Sequence, residues 1–347
     1  MDDNLRDRIG HYLRAHKPEW VGCQVLSVQR IHGGASRETY RLSVQYDEAG
    51  VAVTRGLVLR RDPVSTLIET EREVEYAAYR AFSGSTVPVP EPILLEREAG
   101  PLDRPFFVMA EITGAKAASI LAGDPYAPHQ AKIGAQFFTI LGHIAAADLG
   151  AMQLPPCFAA SSPTEVWRSQ LDHWERVIDD DELEPQPVAR AAIRWLRRNP
   201  PPPLARLSFV HGDYRTGNFL FRDDGTIAAI LDWEMAHLGD PLEDLAWALD
   251  PLWAHHNPAR PAGMLSRAEA LALWSQASGL AINPEALAWW EMFASLKGLA
   301  IWISSAKEFQ SGTNTDPVMA FSGLYCLPYH NEVLAERLHR LAQEGRL

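Results

Sequence analysis

The residues most able to do chemistry lie in Phe209-Val-His-Gly-Asp-Tyr-Arg-Thr-Gly-Asn-Phe-Leu-Phe221 and, after a short turn, in Ile227-Ala-Ala-Ile-Leu-Asp-Trp-Glu234. Two runs rich in Val, Ile, Leu and Phe flank a polar loop, and Asp223-Asp-Gly225 between them is a hairpin signal, so the segment reads as strand, loop, strand, turn, strand. That layout holds His211, Asp213, Asn218 and Asp232 on one ribbon. Carboxylates and an amide oxygen are hard ligands suited to Mg²⁺, which usually keeps waters and phosphate oxygens of its own. A metal-dependent hydrolase could use His and Asp too, but it needs a second set of ligands. His237 and the His255-His256 pair are available and lack matching spacing.

The order His-x-Asp-x-x-x-x-Asn, followed by an Asp after the next hairpin, has the spacing of the protein-kinase catalytic loop and its second metal-binding aspartate. With Leu231-Asp-Trp-Glu234 and Gly239-Asp-Pro-Leu-Glu-Asp-Leu245, the chain resembles the aminoglycoside phosphotransferase and choline kinase family. Within it, the chain is most similar to the branch resembling the kinase-like domain fused to some acyl-CoA dehydrogenases. The resemblance implies an α+β, bilobal protein-kinase-like fold, with a small β-rich nucleotide-binding lobe at 1–111 and a larger, mainly helical lobe at 112–347. It implies ATP and Mg²⁺ as cofactors and a small-molecule hydroxyl as acceptor. Asp213 is then the catalytic carboxylate, Asn218 and Asp232 the metal ligands, and His211 and Asp244 supports of the loop.

By the same resemblance Gly33, Gly34 and Ser36, in a turn between two strands, close over the phosphates. Arg60 stands where relatives of the wider kinase group carry a lysine, and a guanidinium can still clamp phosphate oxygens. Arg61 competes for that role, but neighbouring strand residues point to opposite faces, so only one can serve. Glu73 matches the helix glutamate that pairs with this cation. Met109, Glu111 and Ile112 line the adenine site, with backbone groups near Glu111 and Ile112 receiving the base edge. Arg215, Glu234, Trp289 and Trp302 are the candidates for touching the acceptor. The acceptor itself stays open between a hydroxylated acyl or other apolar metabolite and an aminoglycoside or amino-alcohol. A nucleotide-binding regulator without transfer activity is a third reading, favoured only by arginine at position 60.

Composition sets outer bounds. At 347 residues with 47% apolar and 22% charged content, the chain can bury a sizeable core. A net charge of −12 argues against nucleic acid as a partner, since phosphates are met by a basic stripe. No stretch approaches 18 consecutive apolar residues and the first residues lack a signal-peptide pattern, so no membrane insertion and a cytoplasmic location are expected. Three scattered cysteines, Cys23, Cys157 and Cys326, fit reduced thiols. Nothing in the sequence fixes an oligomeric state.

The elements that must position the site follow from periodicity. Leu5, Ile9, Tyr12 and Leu13 predict an amphipathic helix over 4–17 ending before Pro18. Alternation predicts strands over 24–31, 40–46 and 56–63, then a helix over 66–82. Val87-Pro-Val-Pro-Glu-Pro92 reads as a stiff connector, and 105–114 as an apolar strand leading into the larger lobe. Helices are predicted over 133–149, across 163–199, and over 267–278, 284–309 and 331–342. Asp240 followed by Pro241 is an N-cap with proline at the first helical position.

Overall fold

The computed structural model describes residues 2–31, 38–62, 72–119, 122–159, 162–255, 257 and 259–347. Its N-terminal part is a five-stranded antiparallel sheet built from β1 (Val21–Ile31), β2 (Glu38–Glu48), β3 (Val51–Arg61), β4 (Pro92–Glu96) and β5 (Phe106–Ala110), in the order β1-β2-β3-β5-β4. Alternation along β2 buries Tyr40, Leu42, Val44 and Tyr46, and β3 adds Leu57 and Leu59 to the same face. Helix α1 (Asp2–His16) covers that face with Ile9, Tyr12 and Leu13. Its opposite face receives α2 (Arg72–Phe82), whose Val74, Ala77, Ala78 and Phe82 join a second and larger core. Strand β5 shows the division residue by residue: Phe106 and Val108 enter the small core, Phe107 and Met109 the large one.

The C-terminal part is mainly helical and is organised around α8 (Pro284–Ser311), 28 residues long. Asn283 caps it by accepting from the amides of Glu285 and Ala286, Pro284 opens it, and Gly312 ends it in a left-handed conformation. The helix is apolar on nearly every side, the pattern of a helix enclosed by others. Around it pack α4 (Val166–Asp181), α5 (Pro187–Arg198), α6 (Pro241–Ala248) and α10 (Leu327–Gln343). Helix α3 (Gln130–Ala146) lies against α7 (Arg267–Ser278). Among the described residues no helix is long and apolar enough to cross a membrane.

The structure differs from the sequence reading in three places that matter for the site. The single ribbon is two pairs: β6 (Ser208–Val210) pairs with β9 (His237–Gly239), and β7 (Phe219–Phe221) pairs with β8 (Ile227–Ile230). Strand β9, too short to alternate, was not expected, and neither was β4 beyond the proline connector. The third strand ends at Ile230 rather than Glu234, because Asp232 takes a left-handed backbone, φ 67°.

Gly142 on α3 fixes how closely α3 and α7 approach: a Cβ there would lie 2.6 Å from the Ala277 Cβ and 2.8 Å from the Trp274 carbonyl oxygen. Gly142→Ala gains about 1 kcal/mol of helix propensity but overpacks against backbone at a cost of about 1–3 kcal/mol. A lowered Tm in thermal unfolding is expected; a raised one would show that the two helices separate freely.

Candidate active site

The loop between β6 and β7 carries His211, Asp213 and Asn218, and its backbone is held almost amide by amide. Asp244 on α6 accepts from the N–H of His211 through Oδ2 at 2.6 Å and from that of Gly212 through Oδ1 at 2.9 Å. The N–H of Asp213 donates to His211 Nδ1 at 3.1 Å, so His211 carries its proton on Nε2, which donates to the Leu231 carbonyl at 2.9 Å. Both ring nitrogens are thereby used, and burial pushes the imidazole down to about 4. His211 is therefore neutral near pH 7 and ties the loop to the segment carrying Asp232. Gly212 has φ 86°, and a Cβ there would come within 2.2 Å of the Met235 carbonyl oxygen, so only glycine fits.

The Asp213 carboxylate, mostly buried, is gripped from three sides. Oδ1 accepts from Trp247 Nε1 at 2.7 Å, Oδ2 from Asn218 Nδ2 at 2.6 Å, and Arg215 Nε lies 3.1 and 3.2 Å from the two oxygens. The Arg215 guanidinium rests on the Trp253 ring, 4.8 Å from its centroid. Since Asn218 turns its amide nitrogen toward Asp213, its Oδ1 is the end left for a cation.

Asp232 is brought to the same place by its backbone. The N–H of Leu231 donates to the Asn218 carbonyl at 2.8 Å, and that of Asp232 to the Tyr79 hydroxyl at 3.1 Å. Its Oδ1 accepts from Arg60 Nη2 at 3.0 Å. Burial pushes this carboxyl up, but the Arg60 charge and hydrogen bond outweigh burial and hold it below the usual range. Arg60 also pairs with Glu75, fully buried on α2, and Tyr79 donates to the same carboxylate at 3.3 Å. Burial works against the Arg60 charge, and Glu75 and Asp232 more than offset it. The donors that meet here, an amide oxygen and a carboxylate, are hard oxygens that fit Mg²⁺. Among the described residues no group of three or more His, Cys, Asp and Glu could hold a metal.

Arg60 faces this cleft, whereas Arg61, one residue on, points to the other side of the sheet and pairs with Glu38 at 2.6 Å. Glu73 is not the partner of Arg60: it lies on the outer side of α2 and pairs with Arg97 at 2.5 Å. The signal for Glu75 was present, since it sits with Ala78, Tyr79 and Phe82 on one apolar stripe where an acid needs a buried cation. The Glu111 N–H is spent on the Gly56 carbonyl at 3.0 Å, so it does not receive a base edge, and its side chain crosses Gly56 to reach Arg41 at 2.6 Å. Met109 is buried beneath the sheet, and Ile112 follows β5 half-buried. Trp289 is core, donating to the Leu196 carbonyl at 3.1 Å and stacked on Phe293, and is not an acceptor wall. Trp302 is half-buried and donates to His330 Nδ1 at 2.7 Å, with its ring 6.4 Å from that of Trp253. Glu234 adds to the negative field at Arg60. Gly33, Gly34 and Ser36 lie outside the described residues. Sequence reasoning also missed Trp247, which donates to Asp213, and Lys297, which donates to the Gly212 carbonyl.

A small antiparallel sheet thus stands beside a helical body, with Arg60 of the sheet bonded to Asp232 of the body and Asp232 tied through Leu231 to the loop carrying Asn218. Residues 27–280 match the Phosphotransferase enzyme family, and the chain belongs to it. Among curated proteins it is similar to acyl-CoA dehydrogenase family member 11 of Gallus gallus, 29% identical over 230 residues, 64% of this chain and 28% of that protein. It is also similar to family member 10 of Mus musculus, 28% identical over 202 residues, 56% of this chain and 18% of that protein. The matched segment is thus a minor part of each relative. Among solved structures, a Ralstonia eutropha protein assigned as an aminoglycoside phosphotransferase superposes with TM-score 0.74 at 22% identity, covering 96% of this chain and 98% of its own. The choline kinase of Streptococcus pneumoniae does so with TM-score 0.60 at 16% identity, covering 96% and 99%. A mutant of aminoglycoside phosphotransferase APH(4)-Ia in complex with ADP and hygromycin B gives 0.58 at 16% identity, covering 95% and 98%. These likenesses establish the kinase-like fold.

The two glutamates of α2 separate sharply by energetics. Glu75→Ala leaves Arg60 short of a buried counter-charge and is expected to cost about 3–5 kcal/mol. Glu73→Ala breaks an exposed pair and is expected to cost less than about 1 kcal/mol. Denaturant unfolding measures both, and equal losses would contradict the assignment.

Asp244 gives a pH signature. Burial, then the neighbouring charge of Glu243, pushes its carboxyl up to about 6 from an ordinary 3.8. A carboxyl raised in the folded state contributes stability that is full below the unfolded value and lost as the pH rises through the folded one, here up to about 3 kcal/mol. His211 titrates with the opposite sense in an overlapping window, so the informative quantity is a difference. Relative to Asp244→Asn, wild-type unfolding free energy should fall between pH 4 and 6 with a slope steeper by about one proton. Parallel slopes would mean that Asp244 is not raised.

Proposed function

We propose that the chain transfers the γ-phosphoryl group of ATP to a hydroxyl of a small molecule, with a hydroxylated acyl or other apolar metabolite as acceptor. The observation that carries this reading is the convergence of Asp213, Asn218, Asp232 and Arg60: Asn218 donates to Asp213 at 2.6 Å, Arg60 to Asp232 at 3.0 Å, and the Leu231 N–H joins the two pairs through the Asn218 carbonyl at 2.8 Å. Phosphoryl transfer needs positioning and charge neutralisation more than covalent help from the protein. Asp213 accepts a hydrogen bond from the acceptor hydroxyl and aims its oxygen at the phosphorus. Asn218 Oδ1 and the Asp232 carboxylate hold Mg²⁺, which when bound neutralises phosphate oxygens. Arg60 keeps Asp232 ionised and in place.

The acceptor class draws on two observations. The relatives in sequence are acyl-CoA dehydrogenase family members, which suggests an acyl metabolite. The charged side chain beside Asp213 is the cation Arg215, set against the aromatic faces of Trp253 and, further on, Trp302. The Arg215 charge suits an uncharged or anionic acceptor and opposes a polycationic one, while the indole faces supply apolar surface and are already met by that guanidinium. An amino-alcohol or aminoglycoside acceptor is the second reading, favoured by the solved structures of a choline kinase and of a phosphotransferase holding hygromycin B.

ADP release from MgATP, followed against hydroxyacyl compounds, sugars, amino-alcohols and aminoglycosides, tests both readings. Asp213→Asn should lower kcat by about 10²- to 10⁴-fold with MgATP affinity little changed, whereas Asp232→Ala should weaken MgATP binding measured by calorimetry. A fully active Asp213→Asn enzyme would remove Asp213 from the mechanism, and stimulation by aminoglycosides alone would replace the acyl reading with the second one.

A further inference from the structure

Helix α8 carries one deeply buried cation. Lys297 is 1% exposed, and its ammonium donates to the Gly212 carbonyl at 2.5 Å and to Glu243 Oε1 at 3.1 Å. It lies 5.7 Å from the ring centroids of both Trp174 and Trp247. Packing alone does not call for this, because desolvating an ammonium costs several kcal/mol and a methionine of similar length would fill the space. Glu243, with His237 hydrogen-bonded to it at 3.0 Å, supplies the counter-charge. The ammonium reaches the one loop carbonyl whose peptide also contains the Asp213 N–H, itself donated to His211. That peptide plane is therefore fixed at both ends.

The second route from Lys297 to the loop runs through Trp247. This indole is 1% exposed and donates to Asp213 Oδ1 at 2.7 Å. A neutral donor at that oxygen restrains the carboxylate about its last torsion without adding a full charge, as the arginine beside it does. The ammonium on the indole face draws electron density from the ring, which strengthens the N–H as a donor. Catalysis by a positioned carboxylate is sensitive to such restraint, since a displacement of about 1 Å can cost on the order of 100-fold in rate.

We propose that Trp247 and Lys297 are positioning residues for phosphoryl transfer: Trp247 aims the Asp213 carboxylate, and Lys297 fixes the Gly212–Asp213 peptide and the indole that contacts it. The proposal rests on the phosphotransferase reading above. It makes α8 a part of the catalytic apparatus through the middle of the helix.

The test uses the full chain and two independent readouts. The first is ADP release from saturating MgATP with water as the acceptor, with Asp213→Asn as the blank. Trp247→Phe and Lys297→Met should each lower kcat on the order of 10- to 100-fold with KM for MgATP within about two-fold, and the double variant should lose less than the product of the two. In the Asp213→Asn background Trp247→Phe should have no further effect, because the group it aims is gone. The second readout is the Trp247 indole N–H resonance in tryptophan-labelled protein, assigned by its loss in Trp247→Phe. It should move in both Asp213→Ala and Lys297→Met. Wild-type release no faster than the blank, with water and with each class of acceptor named under the proposed function, would overturn the phosphotransferase reading and the role built on it. Wild-type release above the blank with Trp247→Phe at full kcat, or an indole resonance unmoved by Asp213→Ala, would overturn the positioning role alone. Because Trp247→Phe keeps most of the ring volume, the test holds even where Lys297→Met fails to fold.

Discussion

Everything in the site hangs on one buried cation between two carboxylates. Arg60 comes from the sheet, Glu75 from the helix packed on it, and Asp232 from the C-terminal part, so a single guanidinium ties a strand, a helix and a loop together. None of the three charges is stable alone in that environment, and each is tolerable because the other two are present. Tyr79 completes the knot, donating to Glu75 and accepting from the Asp232 amide. The planar, forked guanidinium reaches both acids at once, a geometry that a lysine ammonium on a single stem would meet differently. Arginine at this position is therefore compatible with an intact site.

The rest of the site follows a related rule, in which backbone groups are pinned by buried side chains of mixed sign. Asp244 takes two amides, Lys297 a carbonyl, and His211 bridges an amide on its own loop to a carbonyl near Asp232. The charges are interleaved so that each tunes the next. Burial opposes the charge on Glu243, but His237 and Lys297 bring its carboxyl down to about 2, and its negative charge in turn helps to raise Asp244. A loop with little regular hydrogen bonding of its own thus acquires the rigidity that pre-organised catalysis needs.

Much of this was legible in the sequence because the decisive residues are local. His211, Asp213 and Asn218 share one short loop, and their spacing alone predicts that they share a cleft. Alternation placed Arg60 and Arg61 on opposite faces, and Asp240 with Pro241 marked a helix start. What escaped is long-range or too short to have a period. Choosing Glu73 over Glu75 relied on the position of a motif rather than on the apolar stripe that contains Glu75. Strand β9 has three residues and exists through its pairing with β6. Trp247 and Lys297 matter through contacts across 34 and 85 residues of chain, which no local pattern encodes. Lys297 did leave a trace, as a cation within the apolar run Met292-Phe-Ala-Ser-Leu-Lys-Gly-Leu-Ala-Ile301 in the middle of α8.

The left-handed backbone of Asp232 has a consequence for how this protein can change over time. A non-glycine residue there is held against a local preference of about 1 kcal/mol or more. Glycine would relax that strain but take away the carboxylate, while asparagine tolerates the conformation and loses only the charge. Either substitution eases the local backbone and at the same time takes from Arg60 one of its two buried counter-charges, so the strained conformation is held by the ion cluster that it completes.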